Sequence, residues 1–168
     1  GPQVLRSGRI AQAMLHRMQA GQPEGSSMSL QDLKDYEVRV SPALCFAWRT
    51  SSSAPSNLST QVCGAPPPSS GTLAVGQILG LLEARLETSG ASTLGAPWVH
   101  QYTEAARLAF ADRAQYVGDP AHARAPAGAW SSLLDDQYLR SRALAIGPQR
   151  QPKVQPGTPQ GQALSWGP

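Results

Sequence analysis

Only two stretches of the chain are patterned as β-strand, and two strands are too few for a sheet that stands alone. The first, YEVRVSPALCFAW (residues 36–48), alternates in part and is rich in Val and aromatics. Ser41-Pro42 interrupts it, and a proline that cannot donate to a ladder belongs at an edge or bulge. The second, residues 62–65, is shorter still. The polar loop TSSSAPSNLS (50–59) joins them. It contains Asn57-Leu58-Ser59, a glycosylation acceptor tripeptide of a kind that arises often by chance. Such strands need neighbours from elsewhere, so the expected fold class is a piece of a larger layered α/β protein.

The remaining periodicity is helical. Residues 3–20 read as one helix with Ile10, Met14 and Met18 as its apolar stripe. A Gly/Pro/Ser break at 21–27 follows, and Ser29 with Asp32 three residues on caps a short helix, LQDLKDY. After Pro66-Pro67-Pro68-Ser69-Ser70-Gly71, in which either serine can cap, a helix is expected over 72–86. Val75, Ile78, Leu79, Leu82 and Leu86 make its buried stripe, and Gly76 and Gly80 leave room for a close approach. Residues 88–96 form a loop, and Pro97 opens the strongest helix, with Val99, Tyr102, Ala106, Ala109, Phe110 and Val117 on one face. GDPAHARAPAGAW is a loop; Asp135 caps a last helix whose Tyr138, Leu139, Ala143 and Ile146 turn inward. Residues 147–168, rich in proline and without period, read as an extended arm or linker.

At 168 residues the chain is long enough for one domain with a true core. Its charged fraction, 15%, is low for a free-standing surface, which suggests that much of the surface is covered by something else. The net charge of +3 is scattered, with lysine only at Lys34 and Lys153, so no nucleic-acid footprint is expected. No stretch approaches the roughly 18 to 20 apolar residues of a membrane span. No signal-peptide pattern is seen, and the opening Gly1-Pro2 is expected of a chain that was processed, trimmed or cut from an expression fusion. Cys45 and Cys63 cannot hold zinc by themselves, and no histidine stands at metal spacing from them. Two readings stay open for them: a disulfide in an oxidising compartment, or two small buried hydrophobes, which the sequence favours.

Complete catalytic patterns are absent. Ser69 or Ser70 as a nucleophile would need Gly-x-Ser-x-Gly, but Pro67 stands two before Ser69, and His16, His100 and His122 pair with neither serine by sequence. Neither phosphate-binding glycine pattern occurs. Asp135-Asp136 reads as a helix cap. Glu104 and Asp112 lie two turns apart, about 12 Å on one helix face, too far to share a proton. Arg107 and Arg113 nearby make salt bridges the better reading.

Four stretches taken in order resemble one family. They are MSLQDLKDYEV (28–38), VCGAPPPSSG (62–71) with LAVGQILGLLE behind it, EAARLAFADRAQYVGDP (104–120) and LLDDQYLRSRA (133–143). Their order and spacing look like the later part of the large subunit of a γ-glutamyltranspeptidase, or glutathione hydrolase. PPPSSG followed by ADRAQYVGDP is the most specific part. Residues 1–146 would be the C-terminal portion of that subunit, and 147–168 the linker toward its autocleavage point.

The resemblance implies an N-terminal-nucleophile hydrolase made as one chain that cuts itself. The new terminal threonine of the small subunit attacks a γ-glutamyl amide, with its own α-amine as base, and backbone N–H groups hold the oxyanion. The γ-glutamyl group then passes to water, an amino acid or a peptide. The implied fold is an αββα sandwich with strands from both subunits. The implied partners are the small subunit, the rest of the large subunit and glutathione or another γ-glutamyl compound, without a cofactor and outside the cytoplasm. No catalytic residue transfers onto this chain, and the fragment alone is expected to be inactive. Ser69, Ser70 and Gly71 are candidates for the wall of the substrate cleft. Thr72 departs from the family, where a second glycine often follows, and the 50–59 loop is long. Two rivals remain: a same-fold acylase acting on β-lactam side chains, and a stand-alone module offering its prolines to an aromatic groove.

Overall fold

The structure, a computed structural model, describes residues 1–21, 27–48, 60–89 and 95–159. The Asn57-Leu58-Ser59 tripeptide, most of the loops expected at 21–27, 50–59 and 88–96, and the last residues of the expected linker lie outside these. The chain divides into two compact units, Gly1–Val40 and Ser41–Pro168.

The first unit holds three helices: α1 (Gln3–Arg6), α2 (Arg9–Ala20) and α3 (Leu30–Asp35). The single helix expected over 3–20 is two, because Ser7-Gly8 are weak helix formers and Gly8 takes an extended conformation (φ −89°, ψ −169°). The expected stripe is also rotated by one residue. Ala11 and Leu15 are buried, whereas Ile10, Met14 and Met18 are exposed. Ser29 caps α3 as its sequence implies: Oγ accepts from Asp32 N–H, and Asp32 Oδ2 accepts from Ser29 N–H at 2.7 Å. Those bonds from Ser29 hold the Asp32 carboxyl below its ordinary pKa. Residues 36–43 form no strand, and Tyr36, Val38 and Val40 stand exposed. A strand exists only where a ladder partner takes up its backbone groups, and the described residues supply none here.

In the second unit β1 (Leu44–Trp48) pairs antiparallel with β2 (Thr60–Gly64). Leu44, Phe46 and Trp48 are half-buried, while Cys45 and Ala47 face outward, a period-two alternation. Cys45 lies directly opposite Cys63, and a disulfide joins them. Neither cysteine is buried, so the favoured reading of two buried hydrophobes gives way to the other one.

Helix α4 (Gly71–Ser89) carries the sheet and packs against α5 (Ala96–Tyr116) and α6 (Asp136–Ala143). Its buried face is Leu73, Ala74, Gln77, Ile78, Leu81 and Ala84, while Val75, expected inside, is exposed. The glycines explain this shift. A Cβ on Gly76 would lie 2.8 Å from Leu134 Cδ2 and 3.1 Å from the Phe46 ring, and one on Gly80 would lie 2.5 Å from Leu139 Cδ1. Side chains, not a second backbone, occupy the room they leave. On α5 the buried face is Glu104, Ala105, Leu108, Ala109, Asp112 and Tyr116; of the apolar face expected there, Val99, Tyr102 and Phe110 are exposed.

One core joins Ile78, Leu81 and Ala84 to Ala105, Leu108 and Ala109 and to Leu139, Ala143 and Ile146. A second gathers Leu73, Tyr116, Leu133 and Tyr138. Asp135 caps α6 by accepting from Tyr138 N–H, and Tyr138, Leu139, Ala143 and Ile146 all turn inward. The loop expected before α6 contains two short 3-10 turns, Pro126–Gly128 and Trp130–Leu134. The result is a mixed helical fragment with one small sheet.

Candidate functional site

Two features of the second unit bring polar groups together: the proline–serine corner after β2, and a buried carboxylate on α5. At the corner, Ser69 N–H donates to Pro66 O at 3.0 Å, closing a turn across the cis Pro67–Pro68 bond. Pro67 is buried, Ser70 is half-buried, and Pro68, Ser69 and Gly71 are exposed. Thr72 Oγ donates to Ala65 O at 2.9 Å, tying the first turn of α4 back to the strand end. A Cβ on Gly64 would come within 2.3 Å of that hydroxyl, so the glycine makes room for it. Ser70 Oγ accepts from Arg113 Nε at 2.7 Å, and the same guanidinium lies 5.8 Å from the Phe110 ring centroid.

No catalytic histidine meets Ser69 or Ser70 in this arrangement. His100 instead donates through Nε2 to Gly147 O at 2.9 Å, and His16 and His122 are exposed. Ser69, Ser70 and Gly71 thus form a surface corner braced by Arg113. Among the described residues no cluster of His, Cys, Asp and Glu could hold a metal ion. No described helix is long and apolar enough to cross a membrane.

The denser site lies one residue from Arg113. Asp112 is 1% exposed and accepts four hydrogen bonds. Oδ1 takes Arg142 Nη2 and Gly157 N–H, both at 2.7 Å; Oδ2 takes Tyr138 Oη at 2.6 Å and Gln77 Nε2 at 2.9 Å. Burial, then the Asp112 charge, push the Tyr138 hydroxyl far above its ordinary pKa, so it stays a donor. Tyr116, raised for the same two reasons, donates to Gly157 O. Arg142 Nη2 also reaches Leu108 O and Gln155 O.

About two turns toward the start of α5, buried Glu104 binds Arg107 Nη1 at 2.6 Å and accepts from Gln151 N–H at 3.2 Å. Burial alone would raise its pKa, but the bonds from Arg107 and Gln151 and the Arg107 charge outweigh it, and the carboxyl lies below its ordinary value. Residues 147–159, read from sequence as an arm, have no helix or strand of their own beyond a terminal turn, yet are fastened to the core, and Pro159 is fully buried.

Sequence reasoning paired Asp112 with Arg113. Neighbours on a helix point about 100° apart, so Arg113 turns to the surface and Arg142, thirty positions away, takes the carboxylate. A signal did exist. His100, Glu104, Asp112 and Tyr116 repeat at multiples of four, a polar ridge on a helix whose apolar residues form no clean stripe.

The second unit packs helices against a two-stranded sheet, and the described residues hold a corner and a carboxylate hub but no complete catalytic set. The profile described as Gamma-glutamyltranspeptidase matches residues 1–166, and the chain belongs to that family. It is 33% identical over 161 residues to the glutathione hydrolase proenzyme of Pseudomonas aeruginosa, covering 94% of this chain and 26% of that protein. It is 30% identical over 147 residues to the acylase ACY 1 proenzyme of a Pseudomonas strain, covering 87% of this chain and 23% of that one. The γ-glutamyltranspeptidase from Pseudomonas nitroreducens, complexed with L-DON, superposes with a TM-score of 0.65 at 28% identity, over 93% of this chain and 43% of that one. The cephalosporin acylase from Bacillus halodurans shares the fold, with a TM-score of 0.64 at 22% identity, over 94% of this chain and 26% of that one. The chain spans about a quarter of the length of the curated relatives it matches.

Proposed function

We propose that this chain is the C-terminal part of the large subunit of a γ-glutamyltransferase, or glutathione hydrolase. The complete protein is an N-terminal-nucleophile hydrolase with an αββα sandwich, to which a small subunit brings strands and the threonine nucleophile. That threonine attacks the γ-glutamyl amide of glutathione or a similar compound, and the γ-glutamyl group passes to water, an amino acid or a peptide. This fragment positions the reaction's surroundings and does not perform it. Residues 147–168 lead toward the self-cleavage point, and Ser69, Ser70 and Gly71 contribute to the cleft wall. The periplasm or the extracellular space is the compartment, a reading that the Cys45–Cys63 disulfide supports.

The observation that carries the proposal is the family match over residues 1–166. That both the glutathione hydrolase and the acylase relative are proenzymes supports self-processing. The exposed Tyr36, Val38 and Val40 support a sheet completed by other strands. A second reading, an acylase of the same fold, draws on the acylase proenzymes among the relatives. The polyproline-ligand reading finds less support, because Pro67 is buried within its own corner.

Full-length protein assayed with γ-glutamyl and glutaryl anilides separates the first two readings. Turnover of the γ-glutamyl anilide is expected, and glutaryl turnover alone would favour the acylase. Residues 1–168 by themselves are expected to turn over neither. The codons that follow Pro168 are expected to encode, within about forty residues, a Thr followed by Thr or Ser and then His.

A further inference from the structure

The 147–159 segment meets α5 at intervals that match the helix. Gly147 is held by His100, Gln151 by Glu104, and Gly157 by Asp112 and Tyr116. The four holding residues lie on one ridge of α5, and the segment meets them in chain order, so it runs alongside α5 in the same direction. From His100 to Tyr116 the ridge is about 24 Å long. Ten residues of extended chain reach about 33–36 Å at most, so the segment can span the ridge and is kept on it by these bonds rather than by its length. Arg142 closes the far end from α6, bonding both Asp112 and Gln155 O, and Pro159 is buried just beyond.

We propose that this ridge is a positioning device for self-cleavage. It lays residues 147–159 on a fixed track, so that the chain beyond Pro159 departs toward the processing site from one defined point. The inference rests on the proenzyme reading above. In net terms, self-cleavage adds water across one peptide bond, leaving a carboxylate on the upstream piece and a free α-amine on the threonine. An intramolecular attack of this kind depends on how tightly the reacting segment is held in place. Asp112, Tyr116 and Arg142 touch no reacting atom; they are positioning residues. If the Gly157 clamp opens, the nearest remaining anchor in the ridge is Gln151. The longer free stretch lowers the effective concentration by less than about twofold, so lost orientation supplies the greater part of the effect.

The test uses the full-length precursor, followed by pulse-chase on denaturing gels. A Cβ on Gly157 would lie 2.3 Å from Tyr138 Oη and 2.7 Å from Arg142 Cδ. Gly157→Ala therefore sets the segment against Tyr138 and Arg142 without deleting any side chain that Asp112 binds. Tyr116→Phe removes only the hydroxyl that holds Gly157 O. Both variants are expected to cut themselves about three- to tenfold more slowly than wild type, on the argument from loop closure and orientation. The same substitutions in a form produced as two separate chains, with the threonine already terminal, are expected to leave γ-glutamyl anilide turnover within about twofold of wild type. Wild-type cleavage kinetics in both precursors, or an equal loss of turnover in the two-chain form, overturns the proposal. A wild-type precursor that never cuts overturns the proenzyme reading itself, and the inference with it, so the two failures are told apart.

Discussion

Asp112 shows how much one buried acceptor can organise. An ionised carboxylate has no proton to give, and all four donors around it depend on its charge or lone pairs. Asp112→Asn turns one oxygen into an NH2 group that must face two donors, and it leaves Arg142 without its counter-charge. A loss of about 3 kcal/mol is expected, as when one partner of a buried pair is removed, read as a lower urea midpoint for the full-length protein. Glu104 carries a pH dependence. Its folded pKa is depressed below the ordinary 4.5, so its contribution is fully present above about pH 4.5 and is lost as pH falls through the folded value. Between pH 6 and 3 the melting temperature of wild type should fall more steeply than that of Glu104→Gln, and parallel curves would remove Glu104 as the cause. The sequence made these two carboxylates visible as a pair on one face, but Asp112's true partners lie at Gln77, Tyr138, Arg142 and Gly157, at separations no local pattern encodes.

Among the elements, Gly76 and Gly80 fix how closely α4 meets its neighbours, and they should not respond alike to a methyl group. The Cβ of Gly76→Ala meets both Leu134 and the stiff ring of Phe46. That of Gly80→Ala meets the tip of Leu139, which can swing aside. Alanine gains about 1 kcal/mol of helix propensity at either position, against an overpacking cost of about 1–3 kcal/mol. Gly76→Ala is therefore expected to be destabilising by about 1 kcal/mol and Gly80→Ala to be close to neutral. Urea unfolding of the two variants decides the order, and the reverse order would mean that Phe46 yields more readily than Leu139. Element existence was legible where local chemistry is strong: the Ser29 capping box, Pro97 opening α5, and the Asp135 cap with Tyr138 and Leu139 behind it. Faces were less legible. On α4 and α5 Ala74, Ala84, Ala105 and Ala109 face inward because the helices lie close, and the larger Val75, Val99 and Phe110 are displaced outward. A hydrophobicity pattern ranks those residues the other way.

The whole molecule explains residues that no element accounts for. Met14 and Met18 lie on α2 beside Val4 and Ile10, along a shallow apolar groove edged by Arg9 and Arg17. Tyr36, Val38 and Val40 keep strand-like alternation without a ladder. A folded protein seldom leaves apolar surface of this kind open to water. On the proposal that this chain is one part of a two-subunit enzyme, such surface is expected to be covered by the rest of the protein. That reading makes accessibility the measurable quantity. Thioether oxidation by dilute peroxide depends on solvent contact, and both methionines are more than a third exposed in this chain. In residues 1–168 alone, Met14 and Met18 should oxidise within about twofold of the rate of an unstructured peptide. In the mature full-length protein they should be slowed at least about tenfold, as peptide mapping by mass spectrometry would read. Equal rates in the two forms would mean that this face stays open in the complete protein. The exposed Tyr36, Val38 and Val40 would then need an explanation other than a core completed by a second subunit.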